Sequence, residues 1–183
     1  MDSGLPSPFA HCPACRAPTP RFEAGKALRC DACGFRYFHN VAAAVGVVIV
    51  VDAHLLLARR AEAPRAGTLD LPGGFVDPDE TLEAAAVREI AEELALSIDA
   101  GDLRYLFSGN NRYRYADVDY ATSDCWFGLR LAARPVLRHG SDVSEALWRT
   151  PEQALEEELS FPTVREGIER LRAMTLSRLL PAA

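Results

Sequence analysis

The amino-acid sequence predicts an α/β fold preceded by a small cysteine-paired module, on three observations. Four of the five cysteines fall as two CxxC pairs within the first 40 residues, a proline-bearing stretch with little aliphatic periodicity. From residue 41 to about 150, apolar runs alternate with turn signals around one strongly helical stretch. The last thirty or so residues read as turns and helices. A chain of 183 residues can bury one good hydrophobic core beside a satellite module. The boundary is placed after residue 38, giving a module at 1–38 and a main domain at 39–183.

In chain order, residues 41–51 are apolar throughout and predict a largely buried strand. Asp52, Ala53 and His54 form a tight turn, and 55–59 is the returning partner. A proline- and glycine-containing loop covers 61–68, and 69–75 contains the break Pro72-Gly73-Gly74. Residues 81–96 carry alanines with Leu82, Ile90 and Leu94 and no Gly or Pro, which predicts a helix. Its start has two registers: Asp77 as cap with Pro78 and Glu80 following, or Thr81 as a later cap. Strands are expected at 104–107, 112–115 and 125–132, and helices at 152–158 and 164–180. Val164, Ile168 and Leu171 share one face of the last helix. Gly46 and Gly128 lie inside strand-like runs and mark bulges or close backbone approach.

Charge and hydropathy exclude some partners. The net charge of -6 argues against a duplex-coating protein, so no nucleic-acid partner is expected. Lys26 is the single lysine among 20 basic residues. No window reaches the roughly 18–20 apolar residues that span a bilayer, so no membrane partner is expected. The opening MDSGLPSPFA has neither a basic region nor an apolar signal core, which makes cytoplasmic residence the default expectation.

Cys12-Pro13-Ala14-Cys15 and Cys30-Asp31-Ala32-Cys33 are separated by fourteen residues. Two tight pairs joined by a short loop can set four thiolates tetrahedrally around Zn²⁺. Gly34 follows the second pair, where backbone amides turn in around a bound sulfur. Reduced core cysteines or a redox pair are the alternative. Four thiolates leave no open position, so the expected zinc is structural, and it supplies the folding energy a module this small lacks. Cys125, beside Trp126 and Phe127, is expected to be plain core.

Glu89, Glu92 and Glu93 stand at i, i+3 and i+4, hence on one face of the helix. Three like charges this close repel and raise one another's pKa unless a positive group neutralises them. Hard oxygen ligands at this spacing suit Mg²⁺ or Mn²⁺, ions that also bind phosphates. Arg88, four residues before Glu92, can offset part of the repulsion, while Val87, Ile90 and Leu94 form the packing stripe. A solvated acidic face remains the alternative reading of the spacing alone. Before the helix, Leu71-Pro72-Gly73-Gly74-Phe75 leads a strand into a glycine turn where carbonyls can approach a metal and amides a phosphate.

Over the 23 residues from Gly74 to Leu96, the succession Gly74, five residues, Glu80, seven residues, then Arg88-Glu89-Ile90-Ala91-Glu92-Glu93-Leu94-Ala95-Leu96 resembles the Nudix box. One departure occurs, since Ala95 stands where the family usually has glycine. The resemblance implies an α/β/α sandwich and hydrolysis of nucleoside diphosphates linked to another moiety. It implies that Glu92 and Glu93 are the principal metal-binding glutamates and Glu89 a further ligand or catalytic carboxylate. Arg88 matches the arginine holding these groups, Glu80 an accessory acid, and Gly74 a carbonyl ligand. Two or more divalent ions would bridge the diphosphate, and a carboxylate would accept a proton from water; the base is left open among the glutamates.

Beyond the box, Glu145 in Asp142-Val143-Ser144-Glu145-Ala146-Leu147-Trp148 resembles the family's stretch in which an acid precedes a Trp and a short helix. It is a candidate metal ligand; an ordinary surface glutamate is the alternative. Trp148 is assigned to the core. The layout from about residue 12 to 170 resembles the zinc-ribbon-containing NADH pyrophosphatase-like branch. The proline- and tryptophan-bearing segment marking NADH-cleaving members is replaced by Ser108-Gly109-Asn110-Asn111-Arg112-Tyr113-Arg114-Tyr115. There Arg112, Tyr113 and Tyr115 could hold phosphate and stack a base, although an edge strand shows the same alternation. NADH, NAD, ADP-ribose and similar dinucleotides all fit as the expected partner. Rival readings are an idle Nudix domain sensing nucleotides or binding protein, and a ribbon that binds nucleic acid. Stabilisation or a homodimer contact is the preferred role for the ribbon.

Overall fold

The computed structural model describes residues 10–18, 20–115 and 118–174. They divide into two compact units. One comprises the described residues up to Ala42 together with Arg112–Ala121; the other comprises Ala43–Asn111 and the chain from Thr122 onward.

The first unit carries a three-stranded antiparallel sheet in the order β1-β2-β3, with β1 at Arg21–Glu23, β2 at Ala27–Arg29 and β3 at Arg36–Phe38. Cys12, Ala27, Leu28 and Cys30 are buried within it, and among the described residues nothing larger than Leu28 joins them there. That core is too small to fold on apolar burial alone.

The second unit is built on β5 (His54–Arg60), β6 (Leu69–Asp70), β7 (Gly73–Phe75) and β10 (Val143–Arg149), with most of β4 (Ala42–Val51), β8 (Arg104–Tyr115) and β9 (Val118–Arg130), whose Ala42, Arg112–Tyr115 and Val118–Ala121 belong to the first. Their order is β10-β5-β4-β9-β8, with β6 paired to β5 and β7 to β4. Because side chains alternate along a strand, the apolar run of β4 feeds both faces of the sheet. Val48 and Val50 join Leu55, Leu57, Leu69 and Trp126 on one face, while Val47 and Ile49 join Leu56, Phe127 and Leu129 on the other. The first face is covered by α2 (Pro151–Glu156) and α3 (Pro162–Ala173) through Ala154, Val164, Ile168 and Leu171. The second is covered by α1 (Leu82–Leu94) through Ala85, Ala86, Ile90 and Leu94. The result is an α/β/α sandwich, and Cys125 and Trp148 pack, partly buried, against the second cluster.

Local chemistry decides where α1 begins and ends. Thr81 is the cap, its hydroxyl accepting from the Ala84 amide at 3.1 Å, so the later of the two registers forms. Glu80 instead turns back, its carboxylate accepting from the Asp77 amide at 3.1 Å. The helix stops at Leu94, short of the expected residue 96, because Ala95 adopts the left-handed conformation with φ 51°.

Three further boundaries differ from expectation. Residues 104–107 and 112–115 belong to the single strand β8, since pairing with β9 keeps the polar Ser108-Gly109-Asn110-Asn111 stretch extended. Strand β9 likewise begins well before residue 125. The last helix starts at Pro162, and the part of its expected span beyond Met174 lies outside the described residues.

Ala95 adopts a backbone conformation that costs an L-residue with a Cβ roughly 1–2 kcal/mol. Ala95→Gly is therefore expected to stabilise the protein by about 1 kcal/mol. Urea denaturation measures it, and a variant no more stable than wild type contradicts the strain at this cap.

Candidate functional site

The carboxylates are arranged around one guanidinium. Arg88 donates from Nε and Nη2 to the two oxygens of Glu80 at 2.8 and 2.9 Å, a two-pronged contact matching the arginine fork. Its Nη1 reaches Glu89 at 2.8 Å and Glu92 at 3.2 Å, and Nη2 also donates to the Phe75 carbonyl at 3.0 Å. One side chain thus ties the helix to the glycine turn and to the segment before the cap. Hydrogen bonding to Glu80, then to Glu89, raises the Arg88 pKa, while the Arg88 contact holds Glu80 below the usual carboxylate range.

Glu93 lies outside this fork. Its carboxylate accepts from the Gly73 amide at 3.0 Å. Burial pushes its pKa up to about 8 against that amide's pull, and the charges of Glu89, Asp70 and Asp142 push the same way. Burial also raises Glu89 above the usual range, opposed by Arg88. The Glu92 side chain is 61% exposed. Glu89 and Glu93, hard oxygen donors whose ionised forms are disfavoured by burial, are chemically matched to a divalent cation.

The glycine turn permits this approach. Gly73 has φ +145°, and a Cβ there would lie 2.1 Å from the Val45 carbonyl oxygen. At Gly74 a Cβ would lie 2.4 Å from a Glu89 carboxylate oxygen. Neither position accommodates a side chain while strand β7 pairs with β4 and the carboxylates stay where they are.

The other sequence candidates lie as follows. Glu145 sits in β10 beside an irregularity in its pairing with β5, and Arg59 Nε donates to its carboxylate at 2.9 Å. Arg112, Tyr113 and Tyr115 belong to the unit that holds the cysteines, whereas Glu80 to Glu93 belong to the other. The rings of Tyr113 and Tyr115 stack 6.4 Å apart, and Arg114 pairs with Asp119 at 3.6 Å.

In the first unit, the Sγ atoms of Cys12, Cys15, Cys30 and Cys33 all lie within 4.8 Å of one another. Cys12 and Cys33 are 3.7 Å apart, Cys15 and Cys30 3.6 Å. Zinc–sulfur bonds of about 2.3 Å would give tetrahedral edges of about 3.8 Å, so these spacings fit the ion. The two pairs are built alike. The Arg16 amide donates to the Cys12 carbonyl and Cys12 to that of Ala17; Gly34 donates to Cys30 and Cys30 to Phe35. Cys12 falls to about 7: burial opposes ionisation, but the Cys15 and Ala14 amides outweigh it.

Sequence reasoning missed the Gly73 amide, the Phe75 carbonyl, and the nearness of Asp70 and Asp142 to Glu93. For Asp142, the signal in the sequence is its place three residues before Glu145.

Comparison with known proteins agrees with this geometry. A family model described as NUDIX domain matches residues 41–171. The chain belongs to the Nudix family. Among curated relatives, this Nudix chain is 39% identical over 144 residues to the NAD-capped RNA hydrolase NudC of Deinococcus radiodurans, covering 76% of the chain and 48% of that protein. It is 40% identical over 78 residues to an ADP-ribose pyrophosphatase of Methanocaldococcus jannaschii, covering 43% and 46%. The chain thus spans about half the length of these curated relatives. Among solved structures, the NUDIX domain of Shewanella oneidensis NrtR, crystallised with ADP ribose, matches with a TM-score of 0.61 at 25% identity, covering 74% of this chain and 89% of that one. A NUDIX hydrolase from Nitrosomonas europaea shares the fold, with a TM-score of 0.65 at 20% identity over 92% and 93% of the two chains.

The raised Glu93 pKa has a consequence for stability. Between its ordinary value of 4.5 and about 8, the folded state of the metal-free protein keeps a proton that the unfolded state has released. The contribution of Glu93 is therefore fully present below 4.5 and lost as pH rises to about 8. Relative to Glu93→Gln, metal-free wild type is expected to lose melting temperature across that window. Parallel melting curves for the two proteins would contradict it.

Proposed function

We propose that this chain is a metal-dependent hydrolase that cuts the phosphoanhydride bond of a nucleoside diphosphate linked to another moiety. The observation that carries the reading is the Arg88 fork, which gathers Glu80, Glu89 and Glu92 beside the partly buried Glu93 within the family's motif. An idle nucleotide-sensing domain has no need of four acids gathered within one motif, two of which, Glu89 and Glu93, have their pKa values raised by burial.

Glu89, Glu92 and Glu93, with the Gly74 carbonyl, are the groups proposed to hold Mg²⁺ or Mn²⁺. When bound, such an ion supplies positive charge to the diphosphate and acidifies water. The chain's own part is to position and to desolvate. Arg88 opposes the burial that disfavours ionised Glu89 and leaves the exposed Glu92 open toward solvent. The carboxylates share the role of proton acceptor for the attacking water. Glu80 acts through Arg88, fixing the guanidinium rather than meeting substrate.

Two of the curated relatives support the substrate class: one is named for NAD-capped RNA, the other for ADP-ribose. Both names contain an ADP-ribosyl unit, so NADH, NAD, ADP-ribose and similar dinucleotides are the proposed substrates. For the unit holding the cysteines, Zn²⁺ is the proposed resident ion and stabilisation its role. The division into a ribbon and a hydrolase domain near residue 38 is part of the same proposal.

Glu92→Gln and Glu93→Gln are each expected to lower Mg²⁺-dependent turnover of NADH or ADP-ribose by at least about a thousandfold, a loss on the scale of removing a group that acts only in the transition state. Circular dichroism should show the fold retained. Turnover within a few fold of wild type for both variants would sink the assigned site. Metal analysis of the purified chain should find a single zinc per molecule, and a zinc-free folded protein would remove the ribbon assignment.

A further inference from the structure

The C-terminal end of α1 carries both Glu92 and Glu93, and helix ends fray unless their last carbonyls find donors. Ala95 satisfies one of them, its amide donating to Ala91. The next two are taken from outside the helix. The Arg138 amide donates to the Leu94 carbonyl at 3.1 Å, and the Gly140 amide donates to that of Glu93 at 2.8 Å. These donors come from the segment between β9 and β10, more than forty residues further along the chain.

Gly140 approaches the helix more closely than any other residue type could. A Cβ there would lie 2.4 Å from the Glu92 carbonyl oxygen and 3.3 Å from the Glu93 Cα. The segment is itself tethered: Val143 donates to the Gly140 carbonyl at 3.4 Å, and Ala61, just after β5, donates to that of Asp142 at 2.9 Å. It then enters β10, which pairs with β5 in the sheet. The same short stretch brings Asp142 toward Glu93.

We propose that Gly140 is a positioning residue for the cation-binding end of α1, its bare backbone clamping the peptide units of Glu92 and Glu93 so that both carboxylates are set before a divalent ion arrives. The inference rests on the reading of Glu92 and Glu93 as cation-binding groups. It goes beyond that reading by assigning a role to a residue that touches neither ion nor substrate. A clamp of this kind acts on ion affinity first: displacing the helix end changes where two ligands sit without removing either.

The test is Mn²⁺ titration of the full chain, with free Mn²⁺ read by electron paramagnetic resonance. Gly140→Ala is expected to weaken Mn²⁺ binding by about ten- to a hundredfold, the loss typical of residues that orient a metal's ligands. Zinc content should be unchanged, and saturating Mn²⁺ should restore most of kcat, so that the defect appears in the metal requirement. His139→Ala, an exposed neighbour, should bind as wild type does. Wild-type affinity in Gly140→Ala would overturn the clamp. Should that variant fail to fold, hydrogen exchange in the unaltered chain serves instead. Arg138 and Gly140 amides are expected to exchange more slowly once Mg²⁺ is bound, and unchanged exchange at both overturns the proposal. Glu93→Gln separates the two levels. A loss of Mn²⁺ binding with Glu93→Gln but not with Gly140→Ala refutes the clamp alone; intact binding in Glu93→Gln refutes the cation site and the clamp with it.

Discussion

Placing several carboxylates on one turn of a half-buried helix is unfavourable, and most of the second unit is arranged around that cost. Glu80, Glu89 and Glu92 share the guanidinium of Arg88, and Glu93 turns away to the Gly73 amide. Arginine suits this place because its planar fork stays charged and presents several donors at fixed angles. What it leaves unneutralised is a set of hard oxygen ligands in a poorly solvated place. In the proposed function, a divalent cation and the phosphates it carries complete the balance.

The sandwich supplies the rigidity such a site requires. Ala85, Ala86, Ile90 and Leu94 seat α1 on the sheet, which leaves the opposite face of the helix for the acids. Gly73 pairs with Gly46 where β7 meets β4, fixing the turn that meets Glu89 and Glu93. The first unit solves a different problem. It has three short strands and, among the described residues, Leu28 as its largest fully buried side chain, beside four convergent thiols.

Much of this was legible in the sequence because the signals are local. An unbroken apolar run marked residues 41–51 as a largely buried strand. The CxxC spacing marked the four cysteines, and i, i+3, i+4 spacing marked the acidic face. Two registers were open for the helix cap, and Thr81 takes it through its hydroxyl, which accepts from the Ala84 amide. Less legible were features that depend on partners distant in the chain. Strand β8 runs through Ser108-Gly109-Asn110-Asn111 because β9 pairs with it, against local turn chemistry. Gly140 has no distinguishing neighbours in the sequence, and its meaning comes from the Glu92 carbonyl it touches in the fold. The departure at Ala95 shows the converse case: the family's glycine matches a left-handed backbone that the alanine still adopts.

A single fork-shaped cation organises the carboxylates, and Arg88→Lys probes that arrangement, because charge is kept and geometry is lost. Steady-state turnover of NADH or ADP-ribose with Mg²⁺ is the measurement, with a melting curve alongside. Turnover lower by at least about a hundredfold, with the fold intact, is the expected result, since lysine cannot make the parallel contacts to Glu80 while reaching Glu89 and Glu92. Turnover equal to wild type would show that charge alone suffices, and would contradict the account.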